Sequence, residues 1–130
     1  MTELDQVLDE LAQAAWVART NARILGRTAV GCAVRGATGG LWVGCNVEHQ
    51  FRSHDIHAET NAIGAMIAAG DQQLVAIVVV AERERFTPCG ACLDWIMEFG
   101  GPECLVGFQR APGEPIDVLT AGDLMPHYPH

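Results

Sequence analysis

Leu4, Val7, Leu8, Leu11, Ala15 and Ala18 recur at helical spacing, which predicts an opening helix with one apolar face. Thr2 stands before them as an N-cap, with Glu3 and Asp5 in the first turn. The period then changes. Residues 29–34 and 41–47 are β-prone runs on either side of Gly36-Ala37-Thr38-Gly39-Gly40, where glycine supplies the positive φ of a tight reversal, so they predict a hairpin. Neither a Gly-Lys-Ser/Thr nor a helix follows, so the glycines read as a turn and not as a phosphate-binding loop.

From 57 to 69 the pattern is helical and rich in small residues, with Ile63, Met66 and Ile67 among them. A helix apolar on so many sides is expected to be buried on more than one face. Gly70-Asp71 ends it, and residues 74–80 form the continuous aliphatic run of a central strand covered on both faces. Thr87-Pro88 breaks the chain before a second helix over 89–99, which Gly100-Gly101-Pro102 stops. A strand at 104–108, a turn at 111–115, a short strand at 116–118 and a last helix at 120–125 complete the order α-β-β-α-β-α-β-β-α. That order predicts an α/β fold of three layers, α/β/α, around a single mixed five-stranded sheet. With neither repeat nor linker, residues 1–130 are expected to form one domain.

A chain of 130 residues can bury a core without disulfides or a metal clamp, which leaves any metal free for chemistry. The balance of 8 Lys+Arg against 16 Asp+Glu gives a net charge of −8. That is the wrong sign for a phosphate backbone or an anionic lipid surface, so neither nucleic acid nor membrane is expected as a partner. The aliphatic runs fall far short of the roughly 20 residues that span a bilayer, and the acidic, periodic N-terminus is unlike a signal peptide. Of 5 cysteines, Cys32, Cys45 and Cys104 sit singly in apolar runs. An odd number so placed fits a reducing compartment, and a cytoplasmic location is expected.

Two short motifs stand at the starts of consecutive predicted helices: His57-Ala58-Glu59 and Pro88-Cys89-Gly90-Ala91-Cys92. The Cys-x-x-Cys spacing puts both sulfurs on one side of a first helical turn, where unpaired N–H groups and the positive dipole end favour thiolates. If the intervening strand makes a parallel crossover, both helices start at the same sheet edge and His57 completes a three-ligand site. Three protein ligands leave a tetrahedral zinc one position for water, as in catalytic sites. Glu59 points roughly 200° around the helix from His57, so it cannot readily share the metal and is free to act as a base beside zinc-bound water. Cys-x-x-Cys alone also serves redox pairs and structural zinc knuckles; the full set with an unneeded carboxylate points to an active-site zinc. His54 is the substitute ligand to weigh, and His49, His127 and His130 read as solvent or rim residues.

Over nearly its whole length the chain resembles the cytidine deaminase family. Val30-Gly31-Cys32-Ala33 is similar to the family's first-strand signature and Gly44-Cys45-Asn46-Val47-Glu48 to its nucleoside-binding strand end. The zinc motifs follow at family spacing, and 119–126 resembles the last helix. The resemblance implies hydrolytic deamination, at C4 and with release of ammonia, of cytidine, deoxycytidine or a related modified pyrimidine nucleoside. It implies one zinc per subunit on His57, Cys89 and Cys92, with Glu59 moving the protons. It further implies that Asn46 and Glu48 hydrogen-bond the ribose hydroxyls and that Ala58 offers its backbone N–H to the pyrimidine carbonyl. The alternative for Asn46 and Glu48 is a polar strand end that caps a loop. A homo-oligomer is also implied, a tetramer ahead of a dimer, in agreement with the doubly apolar helix.

The departures from the family pattern are informative. His57 and Thr60 stand where short members usually carry cysteine and arginine; zinc with two thiolates and a neutral imidazole has no net charge for an arginine to offset. Thr28, Arg52 and Asp94 also depart, and Arg52 or Asp94 is expected to adapt the pocket to a modified nucleoside. Rival readings are a blasticidin S-type aminoacyl-nucleoside deaminase, a free-base deaminase of cytosine or guanine, and a zinc-stabilised binding module. A deaminase acting within RNA or DNA would need a basic, aromatic groove.

Overall fold

Helix α1 (Glu3–Arg19) begins at its predicted cap in the computed structural model, which describes residues 1–129 and so excludes His130. The Thr2 hydroxyl accepts from the Asp5 N–H at 3.1 Å while the Asp5 carboxylate accepts from the Thr2 N–H at 3.2 Å. Strands β1 (Gly31–Gly36) and β2 (Leu41–Cys45) make the expected hairpin, with Gly39 at φ 96° in its turn. Buried Asp71 grips that turn: its carboxylate accepts from the Thr38 hydroxyl at 2.7 Å and the Thr38 N–H at 3.0 Å. Helix α2 (Ala58–Ala68), β3 (Leu74–Val80), α3 (Gly90–Gly100), β4 (Leu105–Gln109), β5 (Asp117–Thr120) and α4 (Ala121–Leu124) follow. A 3-10 turn at Arg52–His54, inside the β2–α2 connection, has no counterpart in the sequence pattern.

The sheet runs β2-β1-β3-β4-β5, with β3 and β4 parallel and the other neighbours antiparallel, so the single mixed five-stranded sheet is present. Against one face α1 packs Leu8, Leu11, Ala12 and Ala15 onto Ala33, Ala76, Val78 and Val80. On the other, Ala62, Ile63 and Met66 of α2 and Ile96 and Met97 of α3 meet Cys32, Val34, Ile77 and Val79. From Ala76 to Val80 strand β3 feeds alternate side chains into both cores, which is why that stretch is apolar throughout, whereas Val75 is exposed.

The register decides where the two motif-bearing helices begin. Gly31 pairs with both Cys45 and Val80, so β2 and β3, each antiparallel to β1, run the same way and end at one edge. Helices α2 and α3 follow those ends. Gly44 permits the close seating of α2, because a Cβ there would lie 2.6 Å from the Ala58 carbonyl oxygen and 2.5 Å from the Ala62 nitrogen.

Burial of α2 on more than one face is not seen. Ala58, Glu59, Ala62, Ile63 and Met66 are buried, whereas Thr60, Gly64 and Ile67 are half-buried and Ala68 is exposed. One chain offers α2 a single apolar wall, the sheet, and its second apolar side is left partly open. No described helix is long and apolar enough to cross a membrane.

Candidate active site

His57 and Cys89 are the N-caps of α2 and α3, with extended backbone at φ/ψ −82°/152° and −70°/172°. The expectation that His57 and Glu59 diverge around one helix is therefore corrected. His57 stands off the helix end and reaches across to α3, while Glu59 lies in the first turn of α2. The His57 Nδ1 is 3.3 Å from Cys92 Sγ and 3.4 Å from Cys89 Sγ, and the three donor atoms lie within 4.8 Å of one another. Nitrogen and sulfur ligands sharing a tetrahedral zinc stand about 3.5 Å apart, so one imidazole and two thiols at these distances fit that ion. Cys92 is buried; His57 and Cys89 are exposed and line a cavity of about 260 Å³.

The electrostatics of this corner follow from its burial. Desolvation pushes the Cys92 thiol up, Glu59 and Cys89 add to the rise, and a hydrogen bond from the Thr60 N–H opposes it. A cation at the corner reverses that balance in favour of thiolate. Glu59, 3 % exposed, also lines the cavity, and burial holds its carboxyl above the usual carboxylate range. Its own N–H, His57 and Cys92 pull the other way. A carboxyl raised in this manner exchanges protons more readily near neutral pH than an exposed one.

Asn46, Glu48 and Ala58 line the same cavity. Asn46 braces the segment before β1: its Oδ1 accepts from the Val30 N–H and its Nδ2 donates to the Thr28 carbonyl, both at 2.9 Å. Glu48 accepts through one oxygen from the N–H groups of Leu25 at 2.6 Å and Gly26 at 2.8 Å. Those bonds hold its carboxyl below the usual range. Both residues thus cap loops, as their alternative reading held, while facing the cavity. Ala58 is the first residue of α2, where a backbone N–H has no partner within the helix.

Residues 5–108 match the model of the cytidine and deoxycytidylate deaminase zinc-binding region. The chain belongs to the cytidine and deoxycytidylate deaminase family. A cytidine deaminase of Sporosarcina psychrophila is 33% identical over 98 residues, 75% of this chain and 71% of that one. The crystal structure of the cytidine deaminase from Burkholderia pseudomallei matches with a TM-score of 0.84 at 34% identity, covering 98% of each chain. That from Mycobacterium leprae matches at 0.79 and 30% identity, covering 98% of this chain and 100% of that one. The protein is a zinc-dependent hydrolytic deaminase. Held by His57, Cys89 and Cys92, zinc would supply Lewis acidity that activates water as a nucleophile near neutral pH.

The deaminase's cavity also takes in residues that sequence reasoning missed. Asp55 and Ile56 precede His57, and Phe86 and Thr87 precede Pro88-Cys89. Adjacency to the metal motifs was the available signal, because a chain entering a helix N-cap must pass the site. Thr28 and Arg52 are in the wall as well. Asp94 is not: it is exposed on α3 and accepts from the Tyr128 hydroxyl. His54 packs its ring 4.9 Å from that of His49, apart from the three metal donors.

Proposed function

We propose that this deaminase acts on a pyrimidine nucleoside, cytidine, deoxycytidine or a close modified relative, with residues 1–130 as one catalytic domain. The observation that carries the proposal is that His57 and Cys89 of the metal trio, buried Glu59, Asn46 and Glu48 line a single cavity, with Cys92 buried beside the first two. In this reading the trio holds zinc. Glu59 accepts one proton of the attacking water and passes it to a ring nitrogen, then takes the proton of the added hydroxyl and gives it to the amino group, which leaves as ammonia as the new carbonyl forms. The Ala58 N–H meets the pyrimidine carbonyl. Asn46 keeps a second amide hydrogen, and Glu48 keeps lone pairs, for the sugar hydroxyls. A free base has no sugar hydroxyl to engage that remaining hydrogen and those lone pairs, and the curated relatives are named as cytidine deaminases.

Ammonia release across cytidine, deoxycytidine, cytosine, blasticidin S and modified cytidines tests this reading. Turnover of the nucleosides but not of cytosine is expected. Preference for cytosine would overturn the nucleoside reading, and preference for blasticidin S would make the chain an aminoacyl-nucleoside deaminase.

We further infer a homo-oligomer, a tetramer ahead of a dimer. The half-covered side of α2 supports it, as do Phe51, 68 % exposed, and Ile56, 44 % exposed, in the connection that borders the cavity. Sedimentation as a monomer would refute it. Five free cysteines support a reducing, cytoplasmic setting, and the proposed substrate class a role in pyrimidine salvage.

A further inference from the structure

The connection from β2 to α2 is closed at its base by paired hydrogen bonds between Val47 and Ile56, at 2.8 and 2.9 Å. Arg52 lies in the 3-10 turn at its far end and reaches both carboxylates of the cavity mouth. Its Nη2 is 3.2 Å from Glu48 Oε2, and its Nε donates to Asp55 Oδ2 at 2.9 Å. Each carboxylate is tied to backbone through its other oxygen: Glu48 Oε1 to Leu25 and Gly26, and Asp55 Oδ1 to the His49 N–H at 2.6 Å. Arg52 is therefore the shared link between two anchored anions. Glu48 and Asp55 carry like charge, and a guanidinium 3.2 Å from one and 2.9 Å from the other offsets their repulsion inside the wall. A guanidinium has five N–H donors, more than these two contacts use.

We propose that Arg52 is a positioning residue that determines specificity on the sugar side of the substrate. It holds Glu48 Oε2 in one place as an acceptor for a sugar hydroxyl and keeps Asp55 from displacing it. The inference rests on the nucleoside reading and deepens it. A planar fork bridging two carboxylates is a geometry that lysine reproduces only in charge. Because Arg52 is 57 % exposed, its pairs are open to solvent and its effect falls on binding rather than on folding.

The test measures kcat, KM and zinc content of the zinc-loaded enzyme with cytidine and with 2′,3′-dideoxycytidine, in wild type, Arg52→Ala, Arg52→Gln, Arg52→Lys, Glu48→Gln and the Glu48→Gln/Arg52→Ala double variant. Arg52→Ala and Arg52→Gln are expected to raise KM for cytidine about tenfold, with kcat changed by no more than about twofold and zinc retained. Arg52→Lys should recover part of the loss. KM for dideoxycytidine should be the same in wild type and Arg52→Ala, and Arg52→Ala should add nothing once Glu48 is glutamine. An unchanged cytidine KM in the Arg52 variants, or an equal rise for both substrates, overturns the inference. If Glu48→Gln itself leaves the cytidine KM unchanged, the sugar-side reading of Glu48 falls, and Arg52's role with it. If Glu48→Gln raises KM and Arg52→Ala does not, Arg52 alone was misassigned.

Discussion

The metal corner and the sugar-side connection reach one cavity by opposite means. At the corner, two strands end at the same sheet edge, two helices begin there, and His57, Cys89 and Cys92 occupy N-cap and first-turn positions. Backbone geometry places the donors, and the buried sheet holds that backbone. The connection between Val47 and Ile56 has no such frame. Its shape depends on Glu48, Arg52 and Asp55 gripping N–H groups and one another at a partly exposed rim. The contrast separates two jobs: chemistry that tolerates little displacement sits on regular elements, and selection of the ligand sits on a segment whose side chains can change without unseating the sheet.

The contrast can be broken most severely at the corner. Cys92→Ser should lose both zinc and turnover, read by metal analysis and ammonia release; stoichiometric zinc in the purified variant would mean that the ligands are misassigned. Glu59→Gln should instead keep zinc and lower kcat by about three orders of magnitude, since every proton transfer loses its carrier. A mutant as active as wild type would end the proposed proton route. On the connection the effect changes in kind. Glu48→Gln should raise the KM for cytidine about tenfold with a much smaller change in kcat, because it touches binding and not bond making.

The smallest effect is expected at Asp71, which uses the same carboxylate-to-backbone grip at the hairpin turn, away from the cavity. Hydrogen bonds from the Thr38 hydroxyl, the Thr38 N–H and the Gln73 N–H hold its carboxyl below the ordinary value of 3.8. A depressed folded-state pKa contributes stability that is present above the unfolded value and is lost as pH falls through the folded one. Asp71→Asn should therefore lower the denaturation midpoint at neutral pH, and the gap to wild type should narrow as pH falls below the unfolded value and close once it passes the lowered folded one. Its KM and zinc content should match wild type. A gap independent of pH would show that the grip does not depend on the carboxylate charge.

Much of this molecule was legible from its residues alone because the signals are local. Alternation and helical spacing placed the strands and helices, with boundaries moved by a residue or two: the helix expected at 57–69 is Ala58–Ala68 and the strand expected at 29–34 is Gly31–Gly36. Thr2 caps α1 as predicted, since a cap needs only neighbours three residues away. The two metal motifs could be read as a pair because strand-to-helix order limits where each helix starts.

What only the tertiary structure decided depends on register and on contacts between distant segments. That Cys45 and Val80 face the same Gly31, and so bring the motifs together, is a pairing that no local pattern encodes. The side-chain ties of Asn46 to the Thr28–Val30 segment, the removal of Asp94 to the Tyr128 hydroxyl, and the half-open face of α2 are of the same kind. Arg52 is the clearest case. From sequence Arg52 is one of two charges expected to adapt the pocket, but only the closing of the connection through Val47 and Ile56 puts its guanidinium between Glu48 and Asp55. Periodicity records which side of an element is buried, whereas the partner of an irregular loop's side chain is chosen by where the chain returns.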